Sequence, residues 1–131
     1  VYFCMDLTKR ITVPVILDFM EASSYGSATE SSGTVHITKD LIEDIAGKNV
    51  IVVEDIIDTG RTLRLLLDNL RARGPKCLKL CTLLDKPERR VVEVAVDYNG
   101  FVVPNKFVIG YGMDYEQRYR NLPYIGVIED V

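Results

Sequence analysis

Residues 50–64, VIVVEDIIDTGRTLR, place the carboxylates Glu54, Asp55 and Asp58 between four apolar residues and a Thr-Gly-Arg-Thr turn. The turn leads into a leucine-rich segment with helical spacing. The first amides of a helix lack helical partners and its dipole favours negative charge, so residues Thr59, Gly60, Arg61 and Thr62 suit a phosphate. Gly60 lets the backbone come close. Carboxylates beside a phosphate repel it, so they must serve another part of the same ligand. Ribose hydroxyls, or a magnesium ion, meet that need at Glu54 and Asp55. Their charge also suits a sugar that turns cationic as a substituent leaves its C1. Asp58, one turn on, is placed to act as a base. The simpler reading is an acidic strand-to-helix turn in which Asp58 caps the helix. Neither GxxxxGK[ST] nor a properly spaced GxGxxG occurs, which excludes the common triphosphate and dinucleotide loops.

Such a site needs a strand that ends at the acids and a helix that starts at the turn. VIVVE is apolar on both faces, as central parallel strands are. TLRLLLDNLRARGP carries Leu63, Leu66, Leu67 and Leu70 at i, i+3, i+4 and i+7, with Gly74-Pro75 as its stop. The pattern predicts an opening helix ended by Pro14, strands at VPVILDFM, TVHITKD, KCLKLCTLLD, VVEVAVDY, KFVIG and YIGVI, and a polar loop at KPERR. LIEDIAGKN reads as a short helix or turn. Strands alternating with helices argue for an α/β fold with a mainly parallel sheet. Residues 23–33 are Ser, Thr, Gly and Ala apart from Glu30 and a single aromatic, Tyr25, and read as a long mobile connection.

Composition sets the outer limits. At 131 residues, 47% apolar and 27% charged, the chain reads as one soluble domain, residues 1–131, without repeats or an internal linker. A net charge of -3 argues against nucleic acid or an anionic membrane as the main partner. No apolar run reaches the roughly 18 to 20 residues that span a bilayer. Cys4, Cys77 and Cys81 form no CxxC pair and have no histidine nearby, so neither a disulfide framework nor a zinc site is expected, and a reducing cytoplasm fits. Cys77 and Cys81 are expected to pack on one strand face. His36, the only histidine, falls in an alternating strand and is expected to be structural or solvated.

VIVVEDIIDTGRT resembles the phosphoribosyl pyrophosphate signature of type I phosphoribosyltransferases. SSYG, LLDKPERR and VPNKFVIGYGMDYEQRYRNLPYIGV narrow the resemblance to hypoxanthine-guanine phosphoribosyltransferases of the bacterial type, across essentially the whole chain. The resemblance implies a type I phosphoribosyltransferase fold: a mainly parallel central sheet flanked by helices, with a flexible active-site loop at 23–33. The signature then occupies 50–62 and the purine pocket 104–120. The implied reaction is displacement of pyrophosphate from phosphoribosyl pyrophosphate by hypoxanthine or guanine, with Mg2+, to give IMP or GMP.

By the same resemblance Glu54 and Asp55 contact the ribose hydroxyls, Asp58 handles the proton of the purine's imidazole ring, and residues 59–62 wrap the sugar's phosphate. Lys86 reads the six-oxo group; an ammonium only donates, so it disfavours an exocyclic amine. Phe107 stacks on the purine, Val108 reads its edge through backbone groups, and Asp114 lies at the pocket as a magnesium ligand beside Glu54 and Asp55. Arg120 grips pyrophosphate, and Ser24 and Tyr25 belong to the closing lid. Family members associate as homodimers or homotetramers.

Val1 is no initiator and VYFCMDLTKRI reads like the middle of a helix without a cap, so a truncated or processed chain is expected. The family's Leu-Lys-Gly-type pyrophosphate loop and its N-terminal strand and helix would precede residue 1. A rival expectation is a regulator on the same fold that binds nucleotides or RNA without catalysis. It has little reason to keep Asp58, Lys86, Phe107 and Asp114 together. A xanthine or pyrimidine preference would be decided by the residues near Phe107 to Asp114.

Overall fold

The computed structural model describes residues 1–24 and 35–130. Its elements run α1 (Tyr2–Thr8), β1 (Glu21–Ser24), β2 (Val35–Lys39), β3 (Asn49–Ile57), α2 (Arg61–Ala72), β4 (Cys77–Asp85), β5 (Tyr98–Val102), β6 (Phe107–Ile109) and β7 (Gly126–Ile128). The centre is a three-stranded sheet in the order β3-β4-β5. Both of its pairings are parallel, with Asn49 opposite Cys77 and Ile57 opposite Asp85 in the first, and Cys81 opposite Tyr98 in the second. Two antiparallel pairs, β1-β2 and β6-β7, complete the described strands.

The expected strand-turn-helix unit forms because its apolar residues match both periods at once. Leu63, Leu66, Leu67 and Leu70 bury one stripe of α2 against Ile57, Leu80 and Val94. Met20, Ala22 and Leu41 pack at the margin of this core, which ties β1 to it. A second, smaller cluster joins Leu84, Val108 and Met113, with Ile56 beside them. It fastens β6 to the ends of β3 and β4. Gly74, at φ 76°, follows the last turn of α2 as the Gly-Pro stop predicts.

Four expectations need correction. α1 ends at Thr8, ahead of Pro14. VPVILDFM forms no strand; Pro14 lacks an amide donor, and the Asp18 carboxylate instead accepts from the amides of Phe19, Ile42 and Glu43. β3 is an edge of its three-stranded sheet, with β4 in the middle, and Ile51 is accordingly exposed. The strand expected at VVEVAVDY shifts to Tyr98–Val102, because the amides of Val91 and Val92 are taken by the Thr59 carbonyl while Val94 packs under α2. KPERR contains a short 3-10 turn at Pro87–Arg89, and LIEDIAGKN resolves as turns.

Cys77 and Cys81 lie on β4 with matching parity, and all three cysteines are free thiols. Among the described residues no helix is long and apolar enough to cross a membrane. Leu67, 2% exposed at the middle of the α2 stripe, tests the core directly. Leu67→Ala should cost about 2–5 kcal/mol, the usual range for emptying such a position. A shift in the urea midpoint corresponding to less than about 1 kcal/mol would mean that α2 is not the main cover of the sheet.

Candidate active site

Parallel pairing brings the carboxyl ends of β3 and β4 to one edge, where ligands of open α/β sheets bind. At that edge a cavity of about 180 Å³ is lined by Glu54, Asp58 and residues 59–62, among others. Two of the three acids, Glu54 and Asp58, therefore meet the phosphate-suited turn in one place. Gly60 precedes α2 at φ 85°, in the left-handed region, and the first intrahelical bond runs from the Arg64 amide to the Gly60 carbonyl. A Cβ on Gly60 would lie 3.0 Å from Arg90 Cδ, the Val92 carbonyl and Val94 Cγ2 alike. Glycine is required there on conformational and steric grounds together.

The three carboxylates have different surroundings. Glu54, half-buried in β3, has its pKa pushed up to about 7, by burial first and by the neighbouring Asp55 charge second. Asp55 is turned to its own chain, accepting from the Ile56 amide at 2.7 Å, and forms no part of the cavity wall. Neighbouring strand residues point to opposite faces, which separates the two. Asp58 does not cap α2, whose N-cap residue is Gly60. Its carboxylate instead accepts from Arg89 Nε at 2.9 Å, in an ion pair exposed on both sides.

Lys86 sits on the same edge, its amide donating to the Ile57 carbonyl at 3.0 Å. It is only 8% exposed, so it is no solvated loop lysine. Among the described residues no carboxylate pairs with its ammonium, leaving three donors for whatever enters beside it. Its stem is enclosed while the ammonium itself is not a buried unpartnered group, so its donors stay open to a ligand acceptor.

Beyond β4, the second apolar cluster holds the 104–120 segment against this edge. Val108 is buried next to Leu84, whereas Phe107 remains 43% exposed and meets Tyr115 edge to face at 5.4 Å. A large aromatic left that open is available as a stacking surface. The chain then enters a stretch of left-handed residues: Gly110, Tyr111, Gly112, Glu116, Gln117 and Tyr119 all have positive φ. A Cβ on Gly110 would fall 2.1 Å from the Tyr124 carbonyl. Asp114 and Arg120 lie in this stretch as an ion pair at 3.4 Å, with Asp114 also accepting from the Gln117 amide and Arg120 donating to the Gly112 carbonyl. Tyr111 reaches back to donate to Asp6 of α1. Ser24 ends β1 by its backbone, and Tyr25 with the rest of the proposed lid lies outside the described residues.

Arg89 and Arg90 were not singled out by type and spacing. Arg90 donates from Nε to the Asp58 carbonyl at 3.2 Å and from an Nη to the Asp85 carboxylate. The signal was present in LLDKPERR, but a charged loop gives no hint of which acid it meets.

The raised pKa of Glu54 makes a prediction about stability. A carboxyl whose folded pKa lies above its ordinary 4.5 contributes stability that is complete below that value and is lost as pH rises through about 7. Glu54→Gln should therefore match the wild type near about pH 4.5 and be more stable by on the order of 1–3 kcal/mol near about pH 8. Denaturant midpoints at the two pH values check this, and equal differences at both would remove the buried charge as the cause.

Comparison with known proteins places these observations in context. Residues 1–116 match the model of the phosphoribosyl transferase domain. The chain is 55% identical over 126 residues to hypoxanthine phosphoribosyltransferase of Salmonella typhimurium, covering 96% of this chain and 71% of that protein. It is 57% identical over 127 residues to the bifunctional protein TilS/HprT of Listeria monocytogenes, covering 97% of this chain but only 20% of the relative's length. In three dimensions it is similar to a hypoxanthine-guanine phosphoribosyltransferase of Bacillus anthracis, with a TM-score of 0.91, 52% identity, and coverage of 97% and 75% of the two chains.

Proposed function

We propose, from the premise that this chain belongs to the phosphoribosyl transferase domain family, that it forms the catalytic part of a purine salvage enzyme. The reaction is transfer of the phosphoribosyl group of phosphoribosyl pyrophosphate to hypoxanthine or guanine, giving IMP or GMP and pyrophosphate. The observation that carries this reading is the meeting, at one sheet edge, of an acidic turn, a helix start and a buried lysine without a counter-charge.

Residues 59–62 hold the sugar's phosphate through backbone and hydroxyl donors at the start of α2. Glu54 serves the ribose hydroxyls from the cavity wall, and Asp55 joins it on leaving the Ile56 amide; with a pKa near 7, Glu54 is partly protonated at neutrality and can donate as well as accept. Lys86 donates to the six-oxo group, and Phe107 covers the purine face. As the purine nitrogen forms its bond to C1, the bond from C1 to the pyrophosphate oxygen breaks. Asp58 takes the proton lost from the imidazole ring, for which Arg89 must first be displaced from its carboxylate. Arg120, freed from Asp114, pairs with the departing pyrophosphate. Ser24 and Tyr25 belong to the lid that keeps water from the reacting sugar.

Magnesium fits the donor set. Among the described residues no three His, Cys, Asp or Glu side chains converge, and magnesium is commonly held by one or two carboxylates with substrate oxygens completing its shell. Of the candidates Glu54, Asp55 and Asp114, Glu54 lines the cavity and would hold it with substrate oxygens, whereas Asp55 would first have to leave the Ile56 amide and Asp114 to leave Arg120. When bound it would neutralise the charge of the diphosphate. Association as a homodimer or homotetramer and a cytoplasmic setting belong to the same reading, the latter supported by the three free thiols.

The test is a spectrophotometric assay with magnesium and phosphoribosyl pyrophosphate, offering hypoxanthine, guanine, xanthine and adenine in parallel. Conversion of hypoxanthine or guanine with adenine inert is expected. Binding of the sugar substrate without conversion of any base would favour the non-catalytic regulator. Asp58→Asn should lower turnover by roughly 10²- to 10⁴-fold, the usual worth of a general base, while sparing sugar-phosphate binding. Unchanged turnover would take Asp58 out of the mechanism. Lys86→Ala should weaken affinity for the six-oxopurine by at least about tenfold, with little effect on phosphoribosyl pyrophosphate. Equal losses for both substrates would argue against a base-reading role.

A further inference from the structure

The acidic turn is held by a strap that arrives from beyond β4. Three consecutive carbonyls, those of Ile57, Asp58 and Thr59, accept from residues 86–92. The Lys86 amide serves Ile57 at 3.0 Å, and the amides of Val91 and Val92 serve Thr59 at 3.0 and 3.3 Å. The middle carbonyl, that of Asp58, is served by a side chain, through Arg90 Nε at 3.2 Å. The other end of the same guanidinium is fixed on the Asp85 carboxylate. Both side chains of that pair are mostly buried, at 18% and 17% exposure, unlike the open Arg89–Asp58 pair at 47% and 46%. Gly60 packs directly on the Arg90 stem, since a Cβ there would reach Arg90 Cδ at 3.0 Å.

We propose that Arg90 is a positioning residue for the phosphoribosyl transfer, a clamp between Asp85 and the Asp58 carbonyl that orients the Asp58 peptide and hence its carboxylate. The inference rests on the function proposed above. The phosphate-suited turn is fixed independently by the Val91 and Val92 amides, so loosening Arg90 releases Asp58 and leaves the sugar-phosphate contacts in place. A guanidinium is needed because its rigid plane serves the carbonyl and the carboxylate at once. A lysine keeps the charge beside Asp85 but presents a single ammonium.

The experiment compares Arg90→Lys with wild type in the full-length protein, by steady-state kinetics and by backbone hydrogen exchange. Thermal melts establish that both are folded. The expected result is a kcat lower by about 10- to 100-fold, the scale on which misplacement by an ångström acts, with KM for phosphoribosyl pyrophosphate within about threefold. Exchange across residues 58–60 should be faster by about tenfold, with β4 unchanged. A kcat equal to wild type, or a loss confined to KM, overturns the proposal. Should the wild type itself transfer to no base, the functional reading fails. Exchange then decides separately whether Arg90 orders the turn, and unchanged exchange overturns that too. Should Arg90→Lys fail to fold, Asp85→Asn, which frees the other end of the clamp, must show the same split between kcat and KM.

Discussion

Everything in this chain depends on the parallel register of β3 and β4. With Ile57 opposite Asp85, the two strands finish level, and the chemistry-bearing residues just beyond them, Asp58 after one and Lys86 after the other, emerge side by side. A slip of one residue would turn every side chain of β3 to the opposite face and carry Ile57 out of the core. Leu67, Leu80 and Ile57, each almost fully enclosed, hold that register by packing. The hydrophobic effect thus sets the geometry of a polar site that contributes little stability of its own.

At the site itself the balance runs the other way. Glu54 is held where its charge is disfavoured. Left-handed backbone gathers at residues 110–119. Costs of this kind persist only where the surroundings enforce them, and they cluster where ligands act. The two apolar clusters supply that enforcement, one beneath α2 and one beneath Val108.

How much of this was legible in the sequence varied with the range of the interaction. The β3-turn-α2 unit was readable from 50–74 alone, because its strand and helix periods and its Gly-Pro stop are local signals. Glu54, Asp58, Gly60 and the two threonines line one cavity, while Asp55 turns away from it to the Ile56 amide. VPVILDFM misled because its alternation and β-branched residues say nothing of Asp18 accepting from amides more than twenty residues away. VVEVAVDY misled for a similar reason, since the Val91 and Val92 amides are committed to Thr59. Arg90 was invisible because its partners, Asp85 and the Asp58 carbonyl, become neighbours only once the sheet is paired. The family resemblance supplied the roles of Lys86 and Phe107; their burial and exposure came from the fold.

The strap of residues 86–92 also bears on how the site comes into being. The carbonyls of Ile57, Asp58 and Thr59 find their partners only in chain made about thirty residues later. A nascent polypeptide that has emerged through α2 has the acidic turn written in it but nothing to hold it. Its shape is completed after β4 has paired and the strap has crossed over. The reactive geometry is therefore a late product of synthesis, completed together with a core whose Val94 lies just beyond the strap.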